Sequence, residues 1–401
     1  MMKYSVPIGP QHPALKEPIS LRMTLDGEVI QDADIRLGYN HRGVEKVAEG
    51  KTYLQNIYLT ERICGICSHS HSTCFVQGVE KLLEVEPPRR GVFIRYLVSE
   101  LERVHSHLLW LGVAAHEAGF DSLFMYVWRD RELIMDLLEM ISGNRVHYAI
   151  NTLGGVRRDL DEGQVKKILD SLALLRKQSE YYLNIGAHEP SFVGRLAGVG
   201  LLTKEQAVDL CAVGPTARAS DVPIDVRKDD PYGMYGETPF EVCTADTCDV
   251  LGRTVVRIKE VLVSYDIIEH LMRNLPAGPV AIRTPRRPKP GEAVARYEAP
   301  RGENIHYIKS NGTDKPERLK VRAPTLGNYA ATVEMLKSGF LADIPLIFAA
   351  IDPCICCAER TATLVDARTG EEKTVNFSTL RALARERWKN APLKKDAVWP
   401  F

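Results

Sequence analysis

The sequence predicts a predominantly α fold: a helical bundle core with small peripheral antiparallel β-hairpins at the N- and C-terminal ends. Three observations predict it. Four long stretches carry apolar residues at helical spacing: 90–118, with Phe93, Leu97, Leu101, Val104 and Leu108, then 122–141, 161–183 and 247–275. Short stretches at 19–37 and after residue 360 read instead as hairpins with glycine-bearing turns. The composition, 45% hydrophobic and 26% charged over 401 residues, is that of a globular chain with a sizeable core.

The elements follow in order. In 19–37, Leu21, Met23 and Leu25 alternate with polar residues, and Asp26-Gly27 signals a type I′ turn. A loop over 38–46 gives way to helical periodicity that lasts to Pro88. Leu123, Tyr126, Leu133, Leu137 and Met140 mark the 122–141 helix, and Val250, Val255, Ile258, Val261, Ile267 and Leu271 mark 247–275. Loops rich in glycine, proline and arginine lie between, notably 154–159 and 214–235. Residues 276–300, proline-rich and basic, read as a surface crossing. A second hairpin spans 304–310 and 318–322, and 324–340 is helical. The tail reads as a hairpin turning at Thr369-Gly370, then a helix over 378–388. The chain reads as one domain, 1–401: N-terminal hairpin and loops (1–50), helical core (51–275), loops, hairpin and second cysteine pair (276–360), and tail (361–401).

Charge and hydropathy narrow the function. Lys+Arg and Asp+Glu are 52 each, which argues against nucleic acid as a partner, since phosphate binding needs a basic surplus. The apolar runs at 108–115 and 344–351 are shorter than the ~20 residues that span a bilayer. The first residues have no apolar signal core, so a cytosolic-side protein is expected.

Nine cysteines in so long a chain do not make a disulfide scaffold. Four fall in C-x-x-C pairs, Cys64/Cys67 and Cys354/Cys357. Each pair aims two thiols at one point, and two pairs together suit zinc, an iron–sulfur cluster or another thiophilic metal. Nearly the whole chain separates the pairs, where zinc ribbons close loops of roughly 15–20 residues. Spacing alone leaves three readings open: structural zinc, a catalytic metal, and no shared site.

The flanking residues are more specific. The pairs stand in RICGICSHSH (62–71) and DPCICCAER (352–360). Further segments are GPQHP at 9–13, HRGVEK at 41–46, GGVRRDL at 154–160, RKDDPYGMY at 227–235, EAPRG at 298–302 and APTLGN at 323–328. Together these resemble the large subunit of nickel–iron hydrogenases, in the energy-converting, membrane-bound (group 4) branch related to the quinone-side, 49 kDa-type subunit of respiratory complex I. The matches keep the family's order from residue 9 to 360.

The resemblance implies roles. Cys64 and Cys354 would be terminal nickel ligands, while Cys67 and Cys357 would bridge nickel to an iron carrying CO and cyanide. Arg301 would overhang the open metal position, with Asp352 as its anchor. Thr325 and the backbone at Pro300 and Arg301 would hydrogen-bond the cyanides. His71, one helical turn after Cys67, would donate to that bridging sulfur. Glu45 matches a carboxylate that binds a magnesium-type ion. Glu17 matches a glutamate that relays protons from the metal thiolate, a role suited to a carboxyl. Cys356 would be a spectator. Complex I subunits resemble the first loop as far as Ala14 but carry His-Gly where this chain has Lys16-Glu17, and they lack the four cysteines.

The implied activity is 2H⁺ + 2e⁻ ⇌ H₂, running toward evolution in a proton- or sodium-pumping complex at the cytoplasmic face of the membrane. No second four-cysteine motif remains for an iron–sulfur cluster in this chain. Electrons would therefore come through a small iron–sulfur subunit, with ferredoxin as the donor and integral membrane subunits translocating ions. Formate- and carbon-monoxide-linked donors stay open. The rivals are a sulfur- or quinone-reducing relative without nickel, and a scaffold subunit with structural zinc. Many hydrogenase large subunits resemble precursors cut just after the second motif; here the patterned tail is expected to stay on and pack near the site.

Overall fold

The computed structural model describes residues 3–13, 15–359, 361–366 and 368–389. Strands β1 (Lys3–Ile8), β2 (Ser20–Asp26) and β3 (Val29–Arg36) form an antiparallel sheet in the order β1-β2-β3. The hairpin foreseen at 19–37 is β2–β3, but its loop is Gly27-Glu28: Asp26 stays in the ladder opposite Val29, and of the two loop residues only Gly27 has positive φ. That pattern departs from type I′, which needs positive φ at both loop positions.

The helical stretch expected up to Pro88 is divided into α1 (Val44–Glu49), α2 (Tyr53–Glu61) and α3 (Ser68–Leu83). Thr52 and Gln55 form a capping box that starts α2. The division puts the first C-x-x-C in a turn between two helices. Next come α4 (Arg89–Glu117) and α5 (Asp121–Ser142), the small strands β4 (Asn151–Thr152) and β5 (Gly155–Val156), and α6 (Glu162–His188), which begins at an Asp161–Gln164 capping box. Short helices α7 (Pro190–Leu196) and α8 (Lys204–Asp209) follow, and α9 (Pro215–Arg218) and α10 (Val226–Asp229) lie in the loop foreseen at 214–235, before α11 (Val250–Arg273). The bundle is α4, α5, α6 and α11, packed around Leu97, Leu101, Val104, Leu138, Ile168, Val261 and Leu271.

Residues 276–300 are not a surface crossing throughout. Gly291–Ala299 is strand β6, and with β7 (Gly302–Ser310) and β8 (Pro316–Arg322) it forms a three-stranded antiparallel sheet that lies on α3. Pro300 and Arg301 are the tight loop between β6 and β7, since Ala299 pairs with Gly302. Gly302 holds φ +122°, and a Cβ there would come within 2.7 Å of the Gly214 amide, so the hairpin tip is seated on backbone.

After β8 follow α12 (Pro324–Leu336), α13 (Ile344–Ala350) and α14 (Ile355–Ala358). The tail forms β9 (Thr361–Val365), β10 (Glu372–Asn376) and α15 (Phe377–Lys389), a hairpin then a helix, with α15 against β3. The second motif's closing Arg360 and residues 390–401 of the tail lie outside the described residues. No helix among the described residues is long and apolar enough to cross a membrane.

The bundle interior is charged as well as apolar. Glu100 meets Arg103 and Arg227, each at 3.2 Å; Arg227 meets Asp225 at 2.7 Å; Arg218 meets Glu260 at 2.7 Å and Glu298 at 2.9 Å. All are buried, and every charge has an opposite partner, which buried ions require. Arg103 also donates to the carbonyls of Glu298 and Ala299, fixing the end of β6 to α4.

Candidate metal centre

Both cysteine pairs sit where a turn meets a helix. Cys64 follows α2, Cys67 precedes α3, Cys354 precedes α14 and Cys357 lies in it. Cys64 Sγ is 3.1 Å from Cys354 Sγ, Cys67 Sγ is 3.7 Å from Cys357 Sγ, and Cys354 Sγ is 2.7 Å from Cys357 Sγ. All four sulfurs lie within 4.8 Å of one another, buried, and none is in a disulfide.

That donor set fits a soft ion. A thiolate tetrahedron with metal–sulfur bonds of about 2.3 Å has edges of roughly 3.8 Å. The Cys67–Cys357 separation of 3.7 Å is close to that length, and the 3.1 and 2.7 Å separations would open by about 1 Å or less. Hydrogen bonds from Cys354, Cys356 and Cys357 hold the Cys64 thiol well below its ordinary range, while burial pushes Cys357 well above. The amides of Ile66 and Cys67 also point at Cys64 Sγ, at 3.3 and 3.4 Å. A metal would replace the thiol protons.

The candidate residues around the sulfurs are mostly gathered there. His71 Nε2 lies 3.4 Å from Cys357 Sγ, so the ring reaches across the site to Cys357, where the spacing pointed to Cys67. Its Nδ1 is 3.2 Å from His306 Nε2 and 3.5 Å from Asn304 Nδ2. Arg301, at the hairpin tip after Pro300, donates to Asp352 Oδ1 and to the Asp352 carbonyl, both at 2.7 Å, and to Ser106 Oγ at 3.1 Å. Burial works against the charge of Arg301, but Asp352 and the thiols of Cys354, Cys67 and Cys64 hold its pKa well above the usual range. Asp352 itself has φ 55°, a left-handed backbone that turns its carbonyl toward the guanidinium.

Thr325, the second residue of α12, accepts a hydrogen bond from the Cys354 amide at 3.1 Å and so fixes the second ligand turn. Glu17 turns inward: Oε2 accepts from Cys356 N at 3.0 Å, and its carboxylate lies within 4.8 Å of the Cys354 and Cys356 sulfurs. Lys16 goes the other way, to Glu117 at 2.7 Å. Glu45 is apart from this group. Its Oε1 accepts from Val321 N at 2.9 Å and Oε2 lies 3.6 Å from Lys320 Nζ. Neither cluster of three or more ligand-type residues among the described residues includes it.

Sequence reasoning missed other contributors. Arg42 donates to the carbonyls of Arg62, Ile63 and Cys356, at 2.8, 2.6 and 3.4 Å, and so straps the two cysteine turns together. The HRGVEK match could have singled it out. Glu102, His105, Ser106 and His306 carry no such signal.

A fold built on a helical bundle, with paired cysteines from opposite ends of the chain closing on one point, defines a class of protein with a four-thiol site that could hold a metal. The chain belongs to the family that unites nickel-dependent hydrogenase large subunits with the 49 kDa subunits of respiratory NADH dehydrogenases. The family model "Nickel-dependent hydrogenase" matches residues 42–112, and "Respiratory-chain NADH dehydrogenase, 49 Kd subunit" matches 117–288 and 281–360. The chain is 39% identical to the membrane-bound hydrogenase subunit alpha of Pyrococcus furiosus over 409 residues, covering 98% of this chain and 95% of that protein. It is 41% identical to the carbon monoxide-induced hydrogenase of Rhodospirillum rubrum over 368 residues, 90% of this chain and all of that protein. Among solved structures it is similar to a chain of the membrane-bound sulfane sulfur reductase, an archaeal respiratory membrane complex. That match has a TM-score of 0.85 and 32% identity, covering 89% of this chain and 98% of that one.

Proposed function

We propose that this protein is the catalytic large subunit of a membrane-associated nickel–iron hydrogenase that reduces protons to H₂, reversibly. The observation that carries the reading is the convergence of Cys64, Cys67, Cys354 and Cys357, buried and within 4.8 Å, in a chain of this family. Those four thiolates would hold the centre. When bound, a nickel–iron centre with CO and cyanide on iron supplies the two-electron interconversion of protons and dihydrogen.

The chain's own residues do the rest. Cys64 and Cys354 would serve as terminal ligands and Cys67 and Cys357 as bridges, with His71 Nε2 donating to Cys357 Sγ and drawing charge from it. Arg301, pinned by Asp352 and Ser106, sets a fixed positive charge beside the sulfurs, and a forked guanidinium holds that position where a lysine would swing. Thr325, whose hydroxyl accepts from the Cys354 amide, and the Pro300–Arg301 backbone would hydrogen-bond the cyanides of such a centre. Glu17 holds a proton at its carboxyl beside Cys354 and Cys356 and passes it between the thiolates and the outside. Burial of the sulfurs excludes water from the reacting atoms.

Electrons would enter from a small iron–sulfur subunit supplied by ferredoxin, and integral membrane subunits would couple the reaction to ion translocation at the cytoplasmic face. The relatives, a membrane-bound hydrogenase and a respiratory membrane complex, support such an assembly. The 0.85 TM-score to a sulfane sulfur reductase favours a second reading, a sulfur or quinone reductase without nickel. Hydrogen production from a reduced low-potential dye by the purified complex separates them: the hydrogenase evolves H₂, and a reductase consumes polysulfide or quinone and evolves none.

A further inference from the structure

We propose that Glu102 and His105, on one face of α4, are positioning residues that hold the Cys64–Cys67 turn in ligand geometry before any ion arrives. The inference rests on the reading of the four thiols as a metal centre and adds the device that presets the first pair.

The first N–H groups of a helix lack intrahelical partners, and the preceding residue ordinarily caps them with a side-chain oxygen. α3 cannot use that device. Its N-cap is Cys67, which makes no side-chain capping bond and whose sulfur faces Cys357. The first turn is capped instead from another helix. Glu102 Oε2 accepts from His69 N at 2.6 Å and Oε1 from Ser70 N at 2.9 Å, and the Ser70 hydroxyl also bonds Oε1. Every group in this cap is buried.

One turn along α4, His105 reaches the ligand turn itself. Its Nε2 is 3.0 Å from the Ile66 carbonyl, which lies between the two cysteines. A carbonyl only accepts, so Nε2 carries the proton. Arg131 Nη2 stands 3.1 Å from Nδ1, and a guanidinium only donates, so Nδ1 must accept. The ring is locked as the neutral Nε2–H tautomer, the one that can hold Ile66. With the Ile66 carbonyl fixed, the amides of Ile66 and Cys67 stay aimed at Cys64 Sγ.

The next residue, Ser106, accepts from Arg301 Nη1 at 3.1 Å. Positions 102, 105 and 106 stand at i, i+3 and i+4 and share a helix face. The start of α3, the C-G-I-C turn and Arg301 are thus all referenced to one 29-residue helix whose other faces pack on α5 and α11. No residue on this face is a ligand; the face sets where the ligands are.

The test is a titration of the metal-free full chain with Co²⁺, followed by sulfur-to-cobalt charge-transfer absorption. His105→Gln keeps an amide long enough to reach Ile66, whereas His105→Asn carries the same group one methylene short. His105→Asn should bind Co²⁺ about 10–100-fold more weakly than the native chain, the range for lost outer-shell partners. His105→Gln should recover most of that affinity, with both variants melting at the same temperature. Glu102→Gln sets an NH₂ group against one of the two amides and should weaken Co²⁺ binding in the same sense. Should His105→Asn fail to fold, Glu102→Gln decides. Native affinity in a folded His105→Asn or Glu102→Gln chain overturns the proposal. A native chain that gives no charge-transfer band overturns the metal-centre reading and this inference with it.

Discussion

Arg301 and Asp352 meet twice, guanidinium to carboxylate and guanidinium to main-chain carbonyl, both at 2.7 Å, with both residues buried. One residue is a hairpin tip and the other a left-handed corner, so two unrelated segments are joined beside the sulfurs. Arg301→Lys keeps the charge and loses the fork. Hydrogen turnover should fall at least ~10²-fold, the scale for a lost preorganised electrostatic group, while nickel content holds. Arg301→Leu should also destabilise the fold by about 3–5 kcal/mol, because Asp352 is left buried and unpaired. Turnover assays and urea unfolding of the two variants check this; unchanged turnover in Arg301→Lys removes Arg301 from the machinery.

Substituting serine for any of Cys64, Cys67, Cys354 or Cys357 should abolish hydrogen activity and remove most of the nickel, since a hydroxyl is a poor ligand for a soft metal. Cys356→Ser should keep both, although Cys356 Sγ lies only 3.5 Å from Cys354 Sγ. Metal analysis of the five variants is the measurement. A dead, nickel-free Cys356→Ser would move the ligand assignment by one position.

Glu17→Gln retains the shape and the bond from Cys356 N but cannot ionise. Turnover should drop by ~10²–10⁴-fold, the range for positioned acid–base groups, with metal content intact. Normal turnover with normal metal loading would make Glu17 a structural contact of the cysteine turn.

Stability should change little between pH 6.5 and 4.5. Burial pushes His69 and His105 down to about 3 and His107 down to about 4, so as pH falls below 6.5 the unfolded chain takes up protons that the fold refuses. Alone, these three would cost about 4 kcal/mol per pH unit at full slope. Burial also pushes Glu61 and Glu298 up to about 7 and Glu102 up to about 8, against 4.5 for the free group. Their stabilisation is complete below pH 4.5 and is lost as pH rises through 7 to 8. The two sets oppose each other between 4.5 and 6.5. Below that window the histidines lose stability together with Glu100, Asp225 and Glu260, which, despite burial, their arginine partners hold below the usual carboxylate range, and above it the raised carboxyls do, so stability should fall on both sides. Urea midpoints from pH 3.5 to 9 test this, and a steady loss from 6.5 to 4.5 contradicts it.

The sequence reads well where the pattern is local. Phe93, Leu97, Leu101, Val104 and Leu108 are all buried in α4, and the alternation of Leu21, Met23 and Leu25 is buried in β2, because periodicity alone determines which face turns inward. Reading failed where a long-range contact decides. Strand β6 hides behind a proline-rich approach, and only pairing with β7 and the floor of α3 makes it a strand. Polar residues inside an amphipathic helix pattern read as a solvated face, yet Glu102, His105 and Ser106 are buried and point at the site. The same holds for Arg103, Arg218 and Arg227, which the core accommodates because Glu100 of α4, Asp225 at the start of α10, Glu260 of α11 and Glu298 of β6 converge on them. The convergence of the four cysteines was legible from their flanking motifs, and His71's partner was not, since helical spacing gives the turn and not the opposite wall.

Infrared spectroscopy of the purified native complex tests the central claim most directly. Metal-bound CO and cyanide absorb where protein does not, and a nickel–iron centre should show their bands together with nickel, with the bands and the nickel lost in Cys354→Ser while the iron of the small subunit's clusters remains. A complex that shows no such bands and contains no nickel, with or without zinc, rules out the nickel–iron centre.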